Sequence, residues 1–195
     1  MTCTGPEQAL PPHQAQQMMA NIWRSNQHIV WEIDWPAAPV AGPFTVESWR
    51  SGDRYRFEIL EAAPPALRGE VLVFDGQSAW RYNRFDPPAI FNPTSPVLPP
   101  VSDVFTIVDH LLSRPAKAAS QKTVYLNDTL TQKNQLSFMN GDTLTLWSDQ
   151  QAGVPVQLHF SIKGQQALLK VRQAEPLTTP PEGLFGVGKW IQNLP

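Results

Sequence analysis

The chain has 195 residues and a formal net charge of −2, which is long enough for one domain with a sizeable core. Charged residues make up 16% of it and form no basic run, which excludes an electrostatically driven nucleic-acid interface. No apolar stretch approaches the roughly 18 residues that a membrane-spanning helix needs.

Cys3 is the only cysteine, and it precedes a stretch rich in proline and glutamine. A single cysteine excludes an internal disulfide and a cysteine-rich zinc site. We expect residues 1–12 to form a flexible tether and residues 13–195 to form one domain. Bacterial lipoproteins begin, after processing, with a lipidated cysteine and such a tether. One interpretation therefore makes Cys3 a membrane anchor, and the other makes it a tail cysteine without a role.

Residues 13–26 are predicted to form an amphipathic helix, because apolar side chains recur there at helical spacing. Those side chains are Met18, Met19, Ile22 and Trp23. Segments of β-type composition follow, separated by turns or loops rich in glycine, aspartate or proline. They are residues 28–35, 44–50, 54–60, 68–74 and 78–82. Trp31 and Ile33 share one face of the first segment, and in the third Phe57 and Ile59 alternate with arginines.

Residues 84–101 are predicted to form a long proline-rich loop that leads into a helix over residues 102–114. Ser102 is a good N-cap, and Pro115 ends the helix. Apolar residues cover more than half of the circumference of this helix. They are Val104, Phe105, Ile107, Val108, Leu111 and Leu112. A helix of this kind is expected to be buried on more than one side.

After a strand over residues 123–126, alternating apolar residues between positions 135 and 171 predict an antiparallel meander. A three-residue turn ending in Gly141 would place Leu136 opposite Leu144, and we prefer this register because it pairs apolar side chains. The meander then has one apolar face, to which Leu146, Leu158 and Phe160 also contribute.

Motifs with known chemistry are incomplete in this chain. Residues 183–190 resemble a phosphate-binding loop, but Trp190 occupies the position that must carry a hydroxyl. Ser78 lacks the second glycine of a nucleophile elbow, because Trp80 stands there. Asp109 and His110 point about 100° apart on a helix and form no dyad. The four histidines are scattered, so no catalytic group, cofactor or metal site is predicted.

The seven tryptophans admit two interpretations. They fill the core of a β protein, which is the commoner case, or they offer an apolar surface to a ligand. Composition alone favours the first interpretation, and the order of elements adds a separate observation. An N-terminal helix and antiparallel strands precede the sequence DGQSAWRYN at residues 75–83, and an apolar helix precedes LTLWSDQQAGVPVQLHFSI at residues 144–162.

This arrangement, over residues 13–187, resembles the LolA/LolB-like family of envelope lipoprotein carriers and receptors. Lipid-binding lipoproteins and periplasmic sigma-factor regulators share that fold. The resemblance implies a mainly β (α+β) protein, an incomplete and strongly curved antiparallel β-barrel. An N-terminal helix and a central apolar helix would plug its concave face.

The resemblance also implies a site for an acyl chain between sheet and helices. The candidate lining and lid residues are Met18, Ile22, Trp23, Trp31, Ile33, Phe57, Ile59, Trp80, Val104, Ile107, Val108, Leu111, Leu144, Leu146, Leu158 and Phe160. One arginine of the carriers helps to latch the lid helices, and here the candidates are Arg50, Arg54 and Arg56.

The function that these features predict is non-catalytic. The protein would bind a lipid or lipoprotein acyl chain in the periplasm or on the extracytoplasmic face of a membrane, for transport or sorting. One alternative is an envelope-stress regulator on the same fold that acts through a protein partner. Another is a structural lipoprotein without a ligand, whose inner space is filled by its own side chains.

Overall fold

The structure of the protein is a computed structural model, which describes residues 5–37, 42–91 and 100–186. Cys3 lies outside the described residues, and so does Trp190 with the second half of the loop-like sequence at residues 183–190.

Twelve strands and two α-helices form the described part of the chain, with a 3-10 turn at Pro65–Leu67. In chain order they are β1 (Gln8–Leu10), α1 (Pro12–Trp23), β2 (Gln27–Asp34), β3 (Phe44–Ser51), β4 (Arg54–Glu61), β5 (Glu70–Phe74), β6 (Ala79–Asn83), β7 (Asp86–Phe91), α2 (Pro100–Ser113), β8 (Ala118–Leu126), β9 (Thr129–Ser137), β10 (Thr143–Asp149), β11 (Pro155–Ile162) and β12 (Gln165–Pro176).

All described strands belong to one antiparallel sheet, in the order β1-β8-β9-β10-β11-β12-β2-β3-β4-β5-β6-β7. The sheet is curved, and its edge strands β1 and β7 do not pair, so it does not close into a barrel. The pairing of β12 with β2 joins the C-terminal meander to the N-terminal strands. The predicted fold class, an incomplete antiparallel barrel with two helices, is confirmed.

The meander has the predicted register. Leu136 of β9 is the partner of Leu144 of β10, so the two apolar side chains lie side by side. Gly141 closes the connecting turn with φ 85°, a backbone conformation that glycine adopts without steric cost. The preference for the three-residue turn is therefore confirmed.

The two faces of the sheet are covered differently. The inner face, defined as the face that α1 and α2 cover, carries a large apolar cluster that includes Trp31, Leu144 and Phe160. The outer face carries a smaller cluster of Val71, Val73, Tyr82 and Phe185, with Trp49, Trp80, Leu177 and Leu184 packed against it. We call these the inner cluster and the outer cluster. In β5, Leu72 points to the inner cluster and its two neighbours to the outer one.

Three strands depart from the sequence prediction. Gln8–Leu10, inside the predicted tether, pairs with β8, so the prediction of a flexible segment is wrong for these residues. Asp86–Phe91, inside the predicted loop, pairs with β6. It is an edge strand, where the missing N–H groups of Pro87 and Pro88 are tolerated. Strand β8 begins at Ala118, five residues before the predicted start at residue 123.

Candidate functional site

Asp109 of α2 connects both helices to the sheet. Its Oδ2 atom accepts a hydrogen bond from Nη2 of Arg50 on β3 at 3.2 Å. Its Oδ1 atom accepts one from Nε1 of Trp23 at the end of α1 at 3.1 Å, and Nε of Arg24 lies 3.4 Å away. We call Arg50, Asp109 and Trp23 the latch. One carboxylate on α2 therefore holds three elements that are distant in sequence.

The Arg50 side chain is 10% exposed, whereas that of Asp109 is 37% exposed. The guanidinium of Arg50 lies over the ring of Trp23 at 4.7 Å and over that of Phe57 at 5.6 Å. Burial lowers the pKa of Arg50, and the neighbouring Asp109 opposes that change. Burial also raises the pKa of Tyr55, which lies in the same environment. Because an arginine side chain keeps its proton in proteins, the latch contains a buried cation.

The other two latch candidates lie on the outer face, so the prediction is wrong for them. The guanidinium of Arg54 lies over the ring of Phe185, at 5.1 Å. Arg56 donates hydrogen bonds to Glu58 at 3.0 Å and to the hydroxyl of Tyr82 at 2.8 Å. Alternation along β4 explains this position, because Phe57 points to the inner cluster and its neighbours point away from it.

Phe105 is the aromatic centre of the contact between α2 and the sheet. Its ring stacks on Phe57 of β4, with centroids 4.2 Å apart and an interplanar angle of 13°. It also stacks on Trp23 at 5.8 Å and meets the edge of Trp31 at 6.4 Å. The Trp31 indole N–H donates to the hydroxyl of Ser48 at 2.9 Å, which satisfies its buried polar atom.

The C-terminal end of α2 is held by polar contacts. Nη1 of Arg114 lies 2.8 Å from Oδ2 of Asp142, which is 3% exposed beside the β9–β10 turn. Burial alone would raise the pKa of Asp142, but hydrogen bonds from Arg114, the backbone N–H of Lys163 and Asn140 outweigh it and lower that pKa. On the other side, the amide of Gln16 on α1 donates to the carbonyls of Leu112 and Arg114.

Most predicted lining residues come together in the inner cluster. Those that are fully or almost fully buried there are Trp23, Trp31, Ile33, Phe57, Ile59, Val104, Val108, Leu111, Leu144, Leu146, Leu158 and Phe160. Ile22 and Ile107 are partly buried and packed against the same cluster. These side chains contact one another, so the inner side is filled by the side chains of the protein in this conformation.

Two predicted lining residues lie elsewhere. Trp80 packs against the outer cluster, because its register partner on β5 is Val73 and not the inner Leu72. The prediction that it lines the concave face is therefore wrong. Met18 is half-buried at the edge of α1, while its neighbour Met19 is fully buried in the inner cluster. Helical periodicity places both on one broad face and does not choose between them.

Sequence reasoning misses two residues that the structure brings into the site. The pattern of α2 marks Phe105 as apolar but does not place it at the centre of the stack. For Asp109, the sequence pattern shows only the adjacent His110 and not its spatial partner Arg50. No local signal marks Asp109 as a partner, since α2 also carries Asp103 and a carboxylate that is 37% exposed does not require a buried cation.

A surface cleft of about 410 Å³ runs along the seam between α1 and the C-terminal end of α2. Polar residues such as Gln17 and Arg24 line its mouth, and Ala20 and Leu112 of the inner cluster lie at its base. The seam is therefore a place where the inner cluster approaches the surface.

Within residues 5–37, 42–91 and 100–186, no group of three or more metal-ligating side chains lies close enough together to hold an ion. Among the same residues, neither helix has both the length and the apolar composition that crossing a bilayer requires.

Comparison with known proteins relates the chain to others through its fold. No protein-family model matches the sequence, and no curated protein matches it either. An uncharacterized conserved protein from Thermus thermophilus matches 93% of this chain and 94% of its own, with 14% identity and a TM-score of 0.57. LprF from Mycobacterium bovis matches 90% of this chain and 99% of its own, with 9% identity and a TM-score of 0.52.

MucB, in its complex with MucA from Pseudomonas aeruginosa, matches 92% of this chain with 14% identity and a TM-score of 0.52. The chain spans 62% of that longer protein. These matches relate the chain to LprF and MucB through the fold. Identities of 9–14% show the fold alone.

Proposed function

We propose that this protein is a non-catalytic component of the bacterial cell envelope, on the extracytoplasmic side of a membrane. It binds an acyl chain of a lipid or lipoprotein between the inner face of the sheet and the two helices, for transport or sorting. The observation that carries this proposal is the latch, in which one partly exposed carboxylate fastens the amphipathic α1 and the apolar α2 over an apolar sheet face.

Because side chains already fill the inner side, the binding free energy has a favourable part from the ligand and an unfavourable part from displacing those side chains. Burying a methylene group contributes about 0.8 kcal/mol, so a dozen of them would contribute roughly 10 kcal/mol. The ligand can reach the part of the inner face under α2 only if that helix, and with it Phe105, moves away from Phe57. That movement exposes apolar surface and breaks the latch, which offsets much of the gain and makes transfer of the ligand reversible.

The experiment measures binding of palmitate and of a dipalmitoylated synthetic lipopeptide by tryptophan fluorescence. The test variant is Asp109→Ser, which leaves Arg50 buried without its counter-ion while the helices stay closed. Opening the helices rehydrates Arg50, so we expect the variant to bind both probes about tenfold more tightly than the wild type.

His110→Ser is the matched control, because it makes a change to the same residue type at the next, exposed position of α2. We expect it to bind like the wild type. No saturable binding of either probe by the wild type would overturn the proposed function. Equal affinities for Asp109→Ser and His110→Ser would overturn the role given to the latch.

A regulator that acts through a protein partner is the second candidate, and the match to MucB favours it, since MucB has been solved in complex with MucA. Capture of one defined envelope protein, together with no saturable lipid binding, would support this candidate. The filled inner side is also what a structural protein without a ligand would show. That third candidate predicts binding of neither a lipid nor a partner.

Anchoring through Cys3 belongs to the same proposal. A lipid on Cys3 would hold the domain at a membrane surface, close to a source or recipient of acyl chains. The mass of the N-terminal peptide of the protein isolated from its native membranes tests this. A peptide with an unmodified Cys3 thiol would exclude the anchor and leave the binding proposal unchanged.

A further inference from the structure

Asn134 of β9 is a polar side chain in an apolar part of the inner face. It is 0% exposed, and Leu136, two residues along the same strand, and Leu146, its partner on β10, are buried with it. Its Oδ1 atom accepts a hydrogen bond from Nε2 of Gln121 on β8 at 3.1 Å. Its Nδ2 atom has no hydrogen-bond partner within the described part of the chain.

An amide N–H that is buried without a partner destabilises the folded state, because it gives up its hydrogen bonds to water. A leucine at position 134 would continue the apolar wall between Leu136 and Leu146 without that cost. The inner face therefore contains a hydrogen-bond donor that folding alone does not use.

Asn134 is connected to the edge of α1 through Gln121. Gln121, its hydrogen-bond partner, lies with Nε2 at 3.9 Å from Sδ of Met18 on that helix. Met18 and Ile22 line an open, mostly apolar cleft of about 430 Å³ along α1. An outward movement of α1 would uncover both amides and connect them with this cleft.

We propose that Gln121 and Asn134 form a polar subsite that binds the carbonyl oxygen of an acyl ester or amide. The Nδ2 group of Asn134 donates the hydrogen bond, and Gln121 holds the Asn134 amide in place through its oxygen. The hydrocarbon chain then lies against the apolar inner face. This inference rests on the proposed function and deepens it, since it selects acylated ligands over ligands with the same chain in an ether linkage.

Two soluble one-chain probes test the subsite. In 1-palmitoyl lysophosphatidylglycerol the chain is attached through an ester, and in its 1-O-hexadecyl analogue an ether replaces the ester carbonyl. We expect the wild type to bind the ester about tenfold more tightly than the ether. We expect Asn134→Leu to bind both probes equally, with an unchanged affinity for the ether.

The ether probe also reports on folding, because a variant that binds it like the wild type has an intact inner face. Equal binding of ester and ether by the wild type, or a preference that survives in Asn134→Leu, would overturn the subsite and leave the proposed function standing. Failure of the wild type to bind either probe saturably would overturn the subsite and the proposed function together.

Discussion

The inner and outer faces of the sheet each carry an arginine paired with a carboxylate, but the two pairs join different parts of the chain. On the inner face Arg50 pairs with Asp109 of α2, 59 positions away in sequence. On the outer face Arg56 pairs with Glu58, two positions away on the same strand. Glu58 is 3% exposed and also lies 2.7 Å from Nη1 of Arg84.

This difference indicates which contacts a ligand can break while the sheet stays intact. The contacts of Arg56 on the outer face stay within the sheet, since they join it to Glu58 of the same strand and to Tyr82 of β6. The contacts of the inner face tie two helices to a sheet that is already complete in its backbone hydrogen bonds. A ligand can therefore displace the inner contacts while the sheet persists.

The largest expected effect is the loss of one aromatic ring from each face. Phe105→Ala removes the centre of the inner stack, and we expect it to lower the free energy of unfolding by about 4 kcal/mol. Phe185→Ala removes a ring from the smaller outer cluster, and we expect a loss of about 2 kcal/mol because fewer neighbours surround it. Urea denaturation measures both values. Equal losses would contradict the view that the helix contact dominates the core.

The next effect concerns the two carboxylates whose pKa values are lowered at turns. Asp142 anchors the end of α2 through Arg114, and we expect Asp142→Asn to lower the free energy of unfolding by about 3 kcal/mol at neutral pH. Asp75 accepts backbone hydrogen bonds from Ser78 and Gln77 at an exposed turn, which lower its pKa. Asp75→Asn is the control, with an expected loss below about 1 kcal/mol.

The pH dependence of the Asp142 effect has a definite sign. The pKa of Asp142 in the folded protein lies below its ordinary value of 3.8. Its contribution is therefore fully present above that value and is lost as the pH falls through the lower folded pKa. We expect the difference between wild type and Asp142→Asn to shrink below about pH 4. A difference that persists at still lower pH would show that the charge of Asp142 is not its source.

The smallest effect separates two cations around one carboxylate. A double-mutant cycle between Arg50 and Asp109 is expected to give a coupling of about 1–2 kcal/mol, since Arg50 is buried. The cycle between Arg24 and Asp109 should give less than about 0.5 kcal/mol, because both side chains are exposed and 3.4 Å apart. Thermal or urea unfolding of the single and double variants provides both couplings. A larger coupling for Arg24 would contradict the assignment of Arg50 to the latch.

Sequence patterns predicted the inner face well where only one face of a strand is apolar. In β2 and β11 alternation placed Trp31, Ile33, Leu158 and Phe160 correctly in the inner cluster. In β5 both faces are apolar, and in β6 Trp80 and Tyr82 alternate with Arg81 and Asn83 but face the outer cluster. Alternation separates two sets of residues in each strand without showing which set the helices cover. Trp80 was misplaced for this reason.

The sequence allows the three candidate arginines of the latch to be narrowed, but it does not identify the carboxylate that pairs with the arginine. Arg50 shares its strand face with Phe44 and Val46, whereas Arg54 and Arg56 alternate with apolar residues, so strand parity favours Arg50. Its partner Asp109 depends on how α2 lies across the sheet, which no local pattern records. The unpartnered amide of Asn134 is likewise a result of tertiary packing.

Amide hydrogen exchange of α2 with saturating palmitate tests the central claim most directly, namely that the helices form a displaceable cover over the inner face. We predict faster exchange in α2 when palmitate is bound, because the displaced helix loses the packing that protects it. The β5–β6 hairpin, which the outer cluster stabilises, should exchange as it does without ligand. Saturable binding of palmitate with unchanged or slower exchange in α2 would contradict the claim.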